Sequence, residues 1–455
     1  MNIYIHLEVS SRELDSKLLL AVLAASRGHH VLVSDQESIH KGLGRKILSP
    51  GIFHTKSVTP AESKITKHNL IIQTGSKITS LDEEGGLVDY GYDKFAKLRY
   101  NDESIKQCAA IFTWGADDSQ TLKKIYPHYS DKIHMTGSPR ADLWQPFFSS
   151  YWDKEYQEFK KPYLLISSNM GVLNNQPFHE YYKFLNEKGY FKRDPEYLNN
   201  FFERIGEEYL MVFHFFKAIK YLASNNEVYN IILRPHPREN VKIWKSLLED
   251  MPNVKIVRKD SISTWINKSF AVMHNSCTTA LEASLSRKPI ITFVPFVANY
   301  SRELPNDLGY RVETLEELSK KVNDIMDETK LKSNDNTLKL IPKIVSQKIH
   351  VDEKEHAAMK IIKIWENLDN KNLSKPNNWT RFMLKLKIMK LNGFLGRFYN
   401  KIIKKEYNKK ENYKFPSFNE NEIFEKVDKL QKMLEIKNQL DCKVLSDRTI
   451  LIKLR

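Results

Sequence analysis

The chain has 455 residues, 41% of them hydrophobic, with 71 Lys+Arg against 56 Asp+Glu. That length suits two sizeable domains plus an extension, and no run of about 18 uninterrupted apolar residues announces a transmembrane helix. Three widely spaced cysteines, Cys108, Cys277 and Cys442, argue against a disulfide framework and for a reducing compartment. The opening MNIYIHLEV runs straight into a strand pattern, without the charged and apolar regions of a secretory signal, so a cytoplasmic protein is expected. The net charge of +15 is uneven: residues 371–455 hold 21 Lys+Arg and 9 Asp+Glu. The basic character therefore belongs to a C-terminal extension, and no nucleic-acid partner is expected.

The first half alternates strands and helices. NIYIHLEV reads as a strand, followed by a helix over SSRELDSKLLLAVLAASRG with a capping box from Ser10 to Glu13 and an end at Gly28. HHVLVSD, NLIIQTG, AAIFTWG and KIHMTGSP read as further strands. A second unit opens near Lys161 with the strand KPYLLISSN. A long helix over 194–225 follows, then YNIILRPHP, NVKIVRKD, FAVMHNS, a helix from near Thr278, and PIITFVP. Short apolar strands alternating with helices predict parallel sheets covered on both faces. The expected architecture is α/β and GT-B-like: two doubly wound Rossmann-like domains, 1–150 and 151–370, facing a cleft. A basic helical extension is expected over 371–455.

In open α/β sheets ligands sit beyond the carboxyl ends of strands, so the loops after strands carry the candidates. LRPHPREN places Arg234, His236, Pro237 and Arg238 at a strand end, a rigid turn with donors for a phosphate and a ribose. Read structurally, it is a solvated basic turn. Ser276, Thr278 and Thr279 crowd a helix start, where backbone N–H groups favour an anion, and Glu282 lies one turn further in. Ser276 can equally be an N-cap, and Glu282 a first-turn acid. Ser167, Ser168 and Asn169 end the first strand of the second unit and allow close approach of a ligand. Arg140 and Asp142 in TGSPRADLW read as a ligand contact or as a local ion pair at a hinge. Arg12, unlike Glu13, has no structural explanation in the sequence. SLDEEGG sets Asp82, Glu83 and Glu84 side by side. Crowded carboxylates raise one another's pKa, a division of labour that glycosyl transfer uses. The plain alternative is a solvated acidic turn.

Taken in order, LEVSSRELDSKLLLA, LDEEGG, TGSPRADLW, LRPHP and NSCTTALEASLSRKPIITF resemble bacterial surface-carbohydrate biosynthesis proteins related to the retaining Kdo transferases of capsule and O-antigen assembly. The resemblance covers roughly residues 1–300. It implies a GT-B fold and a CMP-activated 2-keto sugar acid as donor, Kdo or a nonulosonic acid. The acceptor it implies is a surface glycan or a lipid-linked glycan. It also implies CMP contacts from His236 and Pro237, a phosphate site at Ser276, Thr278 and Thr279, and chemistry from the acidic triplet. No cofactor and no metal are expected. The chain departs from the large capsule enzymes in lacking a duplicated catalytic module and in adding the basic tail. The alternatives are a UDP-sugar or polyol-phosphate donor, or a non-catalytic membrane-associated scaffold.

The tail mixes Trp379, Phe382, Leu384, Leu386, Phe394, Leu395 and Phe398 with Lys385, Lys387, Lys390 and Arg397. Over 379–405 this predicts contact with an anionic membrane surface and a peripheral place on the inner face of the cytoplasmic membrane. The structural alternative is packing on the body or on another subunit.

Overall fold

The computed structural model describes residues 1–87, 91–154, 161–171, 178–193, 195–299, 303–327, 345–352, 354–368, 373–403 and 417–455. The chain divides into two compact units, Met1–Leu143 with Ser346–Arg455, and Trp144–Val345. The second is thus inserted in the first, and the stretch read as a separate extension from 371 belongs to the first unit.

In the first unit, β1 (Asn2–His6), β2 (His30–Ser34), β3 (Ile52–Thr55), β4 (Lys77–Leu81), β5 (Cys108–Thr113) and β6 (Ile133–Met135) form a parallel sheet in the order 2-1-3-4-5-6. Every residue of β1 and β3 is buried, as a sheet covered on both faces requires. Helix α1 (Ser10–Ser26) begins one residue earlier than its sequence suggests, with Val9 as N-cap. Ser10 does not cap it; instead the Glu13 carboxylate reaches back to the backbone N–H of Glu8 and Val9, at 2.9 and 3.3 Å. Helix α2 covers Gln36–Gly44.

NLIIQTG is not a strand. Its apolar run belongs to helix α3 (Glu62–Gln73), which buries His68 and Ile71 and leaves Leu70 and Ile72 exposed. Three apolar residues in a row satisfy either period, and here the preceding helical turns decide. The strand before the acidic triplet is β4, KITSL.

The second unit holds β7 (Tyr163–Ser167), β8 (Asn230–Arg234), β9 (Val254–Ile256), β10 (Ala271–His274), β11 (Ile290–Phe293) and β12 (Tyr310–Val312). All are parallel, in the order 12-11-10-7-8-9. Its core gathers Leu164, Ile166, Phe215, Trp244, Met273 and Phe293.

The C-terminal segment is more than helical. β13 (Leu440–Ser446) and β14 (Thr449–Leu454) form a hairpin, and β14 pairs antiparallel with β2, setting Ile450 against Val33 and Ile452 against Val31. The helix Glu420–Met433 packs Ile423, Val427 and Leu430 inward. Phe382 and Leu386 of the helix Trp379–Ile403 join the core around Tyr4, Phe53 and Ile111. Those two residues, read as membrane-facing, are core residues; the side chains of Phe394, Leu395 and Phe398 lie outside the described residues. No helix among the described residues is long and apolar enough to cross a membrane.

Burial depresses the pKa of several imidazoles among the described residues, five of them strongly. His6 and His274 fall to about 3, His40 and His68 to about 4, and His54 well below the usual histidine range. The unfolded chain binds these protons near pH 6.5 while the folded chain does not. This contribution is therefore complete above pH 6.5 and is lost as pH falls through 6.5. Asp118 and Asp142, raised by burial to about 7, act with the opposite sign between pH 4 and 7, but they are fewer. The melting temperature is expected to fall between pH 7 and 5, and His68→Leu to flatten that slope. A flat profile in differential scanning fluorimetry contradicts this account.

Candidate functional site

The first unit's sheet order changes direction between β1 and β3, and in such sheets the crevice beyond those strand ends holds ligands. The residues there are charged. Glu8, Arg12, Glu13 and Lys17 follow β1, Lys56 follows β3, and Asp82, Glu83 and Glu84 follow β4.

Asp82 and Glu83 each have their own cation, whereas Glu84 shares Arg12 with Glu13 and Arg99 with Asp82. Asp82 is 2% exposed and accepts two bonds from Arg99, at 2.8 and 2.9 Å. Burial raises its pKa against the pull of Arg99. Glu83 is 3% exposed and meets Lys17 Nζ at 2.5 Å, and that lysine is itself buried. The other oxygen of Glu83 has no hydrogen bond and lies 3.9 Å from Arg140 Nη1. Glu84 alone is exposed, its side chain 53% accessible, with Arg12 Nη1 at 3.8 Å and Arg99 Nη1 at 4.0 Å. Of the three, only Glu84 can meet a substrate without breaking a buried ion pair.

The two glycines after the triplet set this geometry. Trp114 Nε1 donates to Asp82 O at 2.7 Å and its ring packs against Gly85 and Gly86. A Cβ on Gly86 would sit 2.3 Å from the Trp114 ring. Arg140 lies over the same ring at 5.8 Å and donates to Glu83 O at 3.2 Å. Asp142 does not pair with Arg140. It accepts the backbone N–H of Ala357 and Ala358, at 3.0 and 2.9 Å, at the start of the helix Ala357–Asn367.

Arg12 bonds Glu13 at 3.0 Å, and its buried Nε has no hydrogen-bond partner. Glu13 is held near pKa 2: burial opposes ionisation, and Lys56, Lys17, the Glu8 N–H and Arg12 outweigh it. Glu13 is therefore a fixed anion that positions Arg12.

In the second unit the order reverses between β7 and β10. Ser167, Ser168 and Asn169 leave β7, and Asn275 to Thr279 leave β10, so the topology brings these two loops together. Asn169 Nδ2 donates to Ser276 O at 2.9 Å. Ser276 adopts φ 49°, a left-handed turn, and both its N–H and its hydroxyl bond Asn306. Ser167 Oγ lies 3.2 Å from Thr279 Oγ1. Thr278 stands at the N-cap of the seven-residue helix Thr279–Leu285 and makes no side-chain cap. Glu282 is turned to Ser263 Oγ, so its observed role is to tie two helices together.

The LRPHPREN turn is organised by Glu239, which is 2% exposed. It accepts from Ser168 Oγ at 2.8 Å, Met170 N at 3.1 Å, His236 N at 3.0 Å and Trp244 Nε1 at 2.7 Å. This carboxylate clamps the β7 loop to the β8 loop. His236 Nδ1 accepts the Arg238 N–H at 3.2 Å. Gly171 lies close enough that a Cβ would be 3.1 Å from His236 Nδ1. Arg234 spends its guanidinium on the carbonyls of Lys259 and Asp260, at 2.8 and 2.5 Å, so it braces the turn. Pro237 is exposed at the tip.

Glu239, Lys17, Arg99 and Asn306 escape sequence reasoning. Lys17 carries a legible signal, since it falls on the apolar face between Leu14 and Ala21, where an unpaired lysine is prohibitive. The other three look like ordinary surface residues in the sequence.

No family model matches the chain, and no curated protein matches it. Solved structures do. A protein of Listeria monocytogenes described as a UDP-N-acetylglucosamine 2-epimerase aligns over 81% of this chain and 98% of its own, at 12% identity and a TM-score of 0.50. The UDP-GlcNAc 2-epimerase of Neisseria meningitidis covers 81% and 100% at 11% identity and 0.47. The wall teichoic acid polymerase TagF covers 70% and 73% at 12% identity and 0.41. The fold is GT-B-like, with two Rossmann-like units.

Proposed function

We propose that this protein is a GT-B-type glycosyltransferase acting on a nucleotide-activated sugar. In this reading the nucleotide lies beyond β7, β8 and β10 of the second unit, against Ser168, Asn169, His236 and the Ser276–Thr279 turn. The observation that carries it is the Glu239 clamp. A buried carboxylate with four donors fixes two loops at a topological switch point, and the Arg238 N–H orients the His236 ring beside them. In the first unit Glu84 is the acid–base or charge-stabilising carboxylate, flanked by Arg12 and Arg99.

The finer reading is a CMP-activated sugar acid as donor. Two guanidiniums beside an accessible carboxylate suit a sugar that brings a carboxylate of its own. The same reading puts the protein peripherally on the inner face of the cytoplasmic membrane, where a lipid-linked acceptor is available. A second reading, a UDP-sugar donor, draws on the fold shared with the Listeria protein described as an epimerase.

A thermal-shift panel decides between them. CMP is expected to raise the melting temperature by several degrees, more than UMP, UDP or GMP, and His236→Ala to remove most of the difference. Saturation at about 100 times Kd corresponds to about 2.7 kcal/mol. A larger shift with UDP transfers the assignment to the second reading, and indifference to all four rejects nucleotide binding.

A further inference from the structure

The helix Trp379–Ile403 has two opposite apolar faces. One is used: Phe382 and Leu386 enter the first unit's core, and a Cβ on Gly42 of α2 would lie 2.9 Å from the Phe382 ring. On the other, Leu384, Ile388 and Leu391 are 59%, 42% and 59% exposed. Their spacing, four then three, lines them up along the helix side turned from the body, and the sequence repeats it at Leu395, Phe398 and Ile402. From Leu384 to Leu391 the row runs about 10 Å.

Charge decides what can cover this row. The 25 residues of the helix contain Arg381, Lys385, Lys387, Lys390, Arg397 and Lys401 and no Asp or Glu. At about 100° per residue, Arg381 and Lys385 flank the row on one side and Lys387 and Lys390 on the other. Lys385 adds to a basic group with Arg45 and Lys41 at the end of α2, and desolvation and those two neighbours lower its pKa. The acids nearby are few: Glu37 pairs with Lys41, and Asp447 with Lys390 at 2.8 Å. A second copy docked through this stripe would set lysine against lysine, whereas a coiled pair needs opposite charges beside its seam. An anionic lipid surface supplies both the apolar bed and the opposite charge.

We propose that the first unit rests on an anionic bilayer through Leu384, Ile388 and Leu391, with Arg381, Lys385 and Lys387 at the headgroups. The inference deepens the peripheral-membrane part of the functional reading and is independent of nucleotide binding.

Point variants test it, because truncation after residue 370 would strip two strands and two helices from the first unit. The full-length protein is mixed with vesicles of phosphatidylcholine, alone or with phosphatidylglycerol, and sedimented. It is expected to co-sediment with the mixed vesicles only, and to be released by raised salt. The triple variant Leu384→Gln, Ile388→Gln, Leu391→Gln is expected to bind about tenfold or more weakly, with unchanged circular dichroism and nucleotide-induced thermal shift. Binding equal to that of the parent overturns the proposal, as does failure of the parent to bind. A parent dimer that the triple variant turns into a monomer assigns the stripe to a second copy instead.

Discussion

Replacing Glu84 by Gln is expected to lower sugar transfer by about two to four orders of magnitude, the usual worth of a positioned acid–base group. The melting temperature should stay within a degree or two of the parent value. Both halves of this expectation come from exposure. Glu84 is the accessible carboxylate of the triplet, and its nearest cations stand at 3.8 and 4.0 Å, too far for strong hydrogen bonds. Such contacts contribute little to folding. Asp82→Asn should behave differently, because it removes the anion that holds Arg99 with two short bonds. Its activity loss is expected to come with a lowered melting temperature. Steady-state transfer and thermal melts on both variants make the check. Full activity in Glu84→Gln would remove this residue from the chemistry and return the search to the buried pair.

The second large effect falls on that pair. Lys17→Met is expected to destabilise the protein by about 3–5 kcal/mol, since it leaves Glu83 buried without its cation. The cost comes less from the lost attraction than from the stranded charge: Glu83 is 3% exposed and its second oxygen already has no hydrogen bond. Lys17→Met combined with Glu83→Gln should therefore recover much of the loss. The remaining difference measures the pair itself in a double-mutant cycle by chemical denaturation. Additive losses in the double variant would show that the two residues act separately.

The sequence carried the architecture well because parallel strands buried on both faces leave continuous apolar runs, such as YLLIS and AVMH, between polar loops. It failed at NLIIQTG, where a helix already under way continued through an apolar run. It failed again at the chain's end: VLSDRTILIKL alternates enough to be a hairpin, but the basic tail before it drew the reading toward helix. In the second unit the sequence pointed to the loop residues at the switch point, though Arg234 proves to bond the carbonyls of Lys259 and Asp260 and Glu282 to tie two helices together. The acidic triplet was legible as a charged loop. Its resolution into two buried pairs and one exposed carboxylate was not, because Lys17 and Arg99 come from helices whose packing no local pattern states. Glu239 was hidden for the same reason, since only the fold makes that position the meeting point of two loops.

The hairpin that closes the first sheet has a consequence for synthesis. Strand β2 is made early, yet its partner β14 follows more than 400 residues later, so the ribosome needs roughly 20–80 s to deliver it. Throughout that interval β2 presents bare amide and carbonyl groups, the kind of template on which neighbouring nascent chains aggregate. The inserted second unit is contiguous and can finish while the first still waits, so the open edge of β2 outlasts the folding of its neighbour.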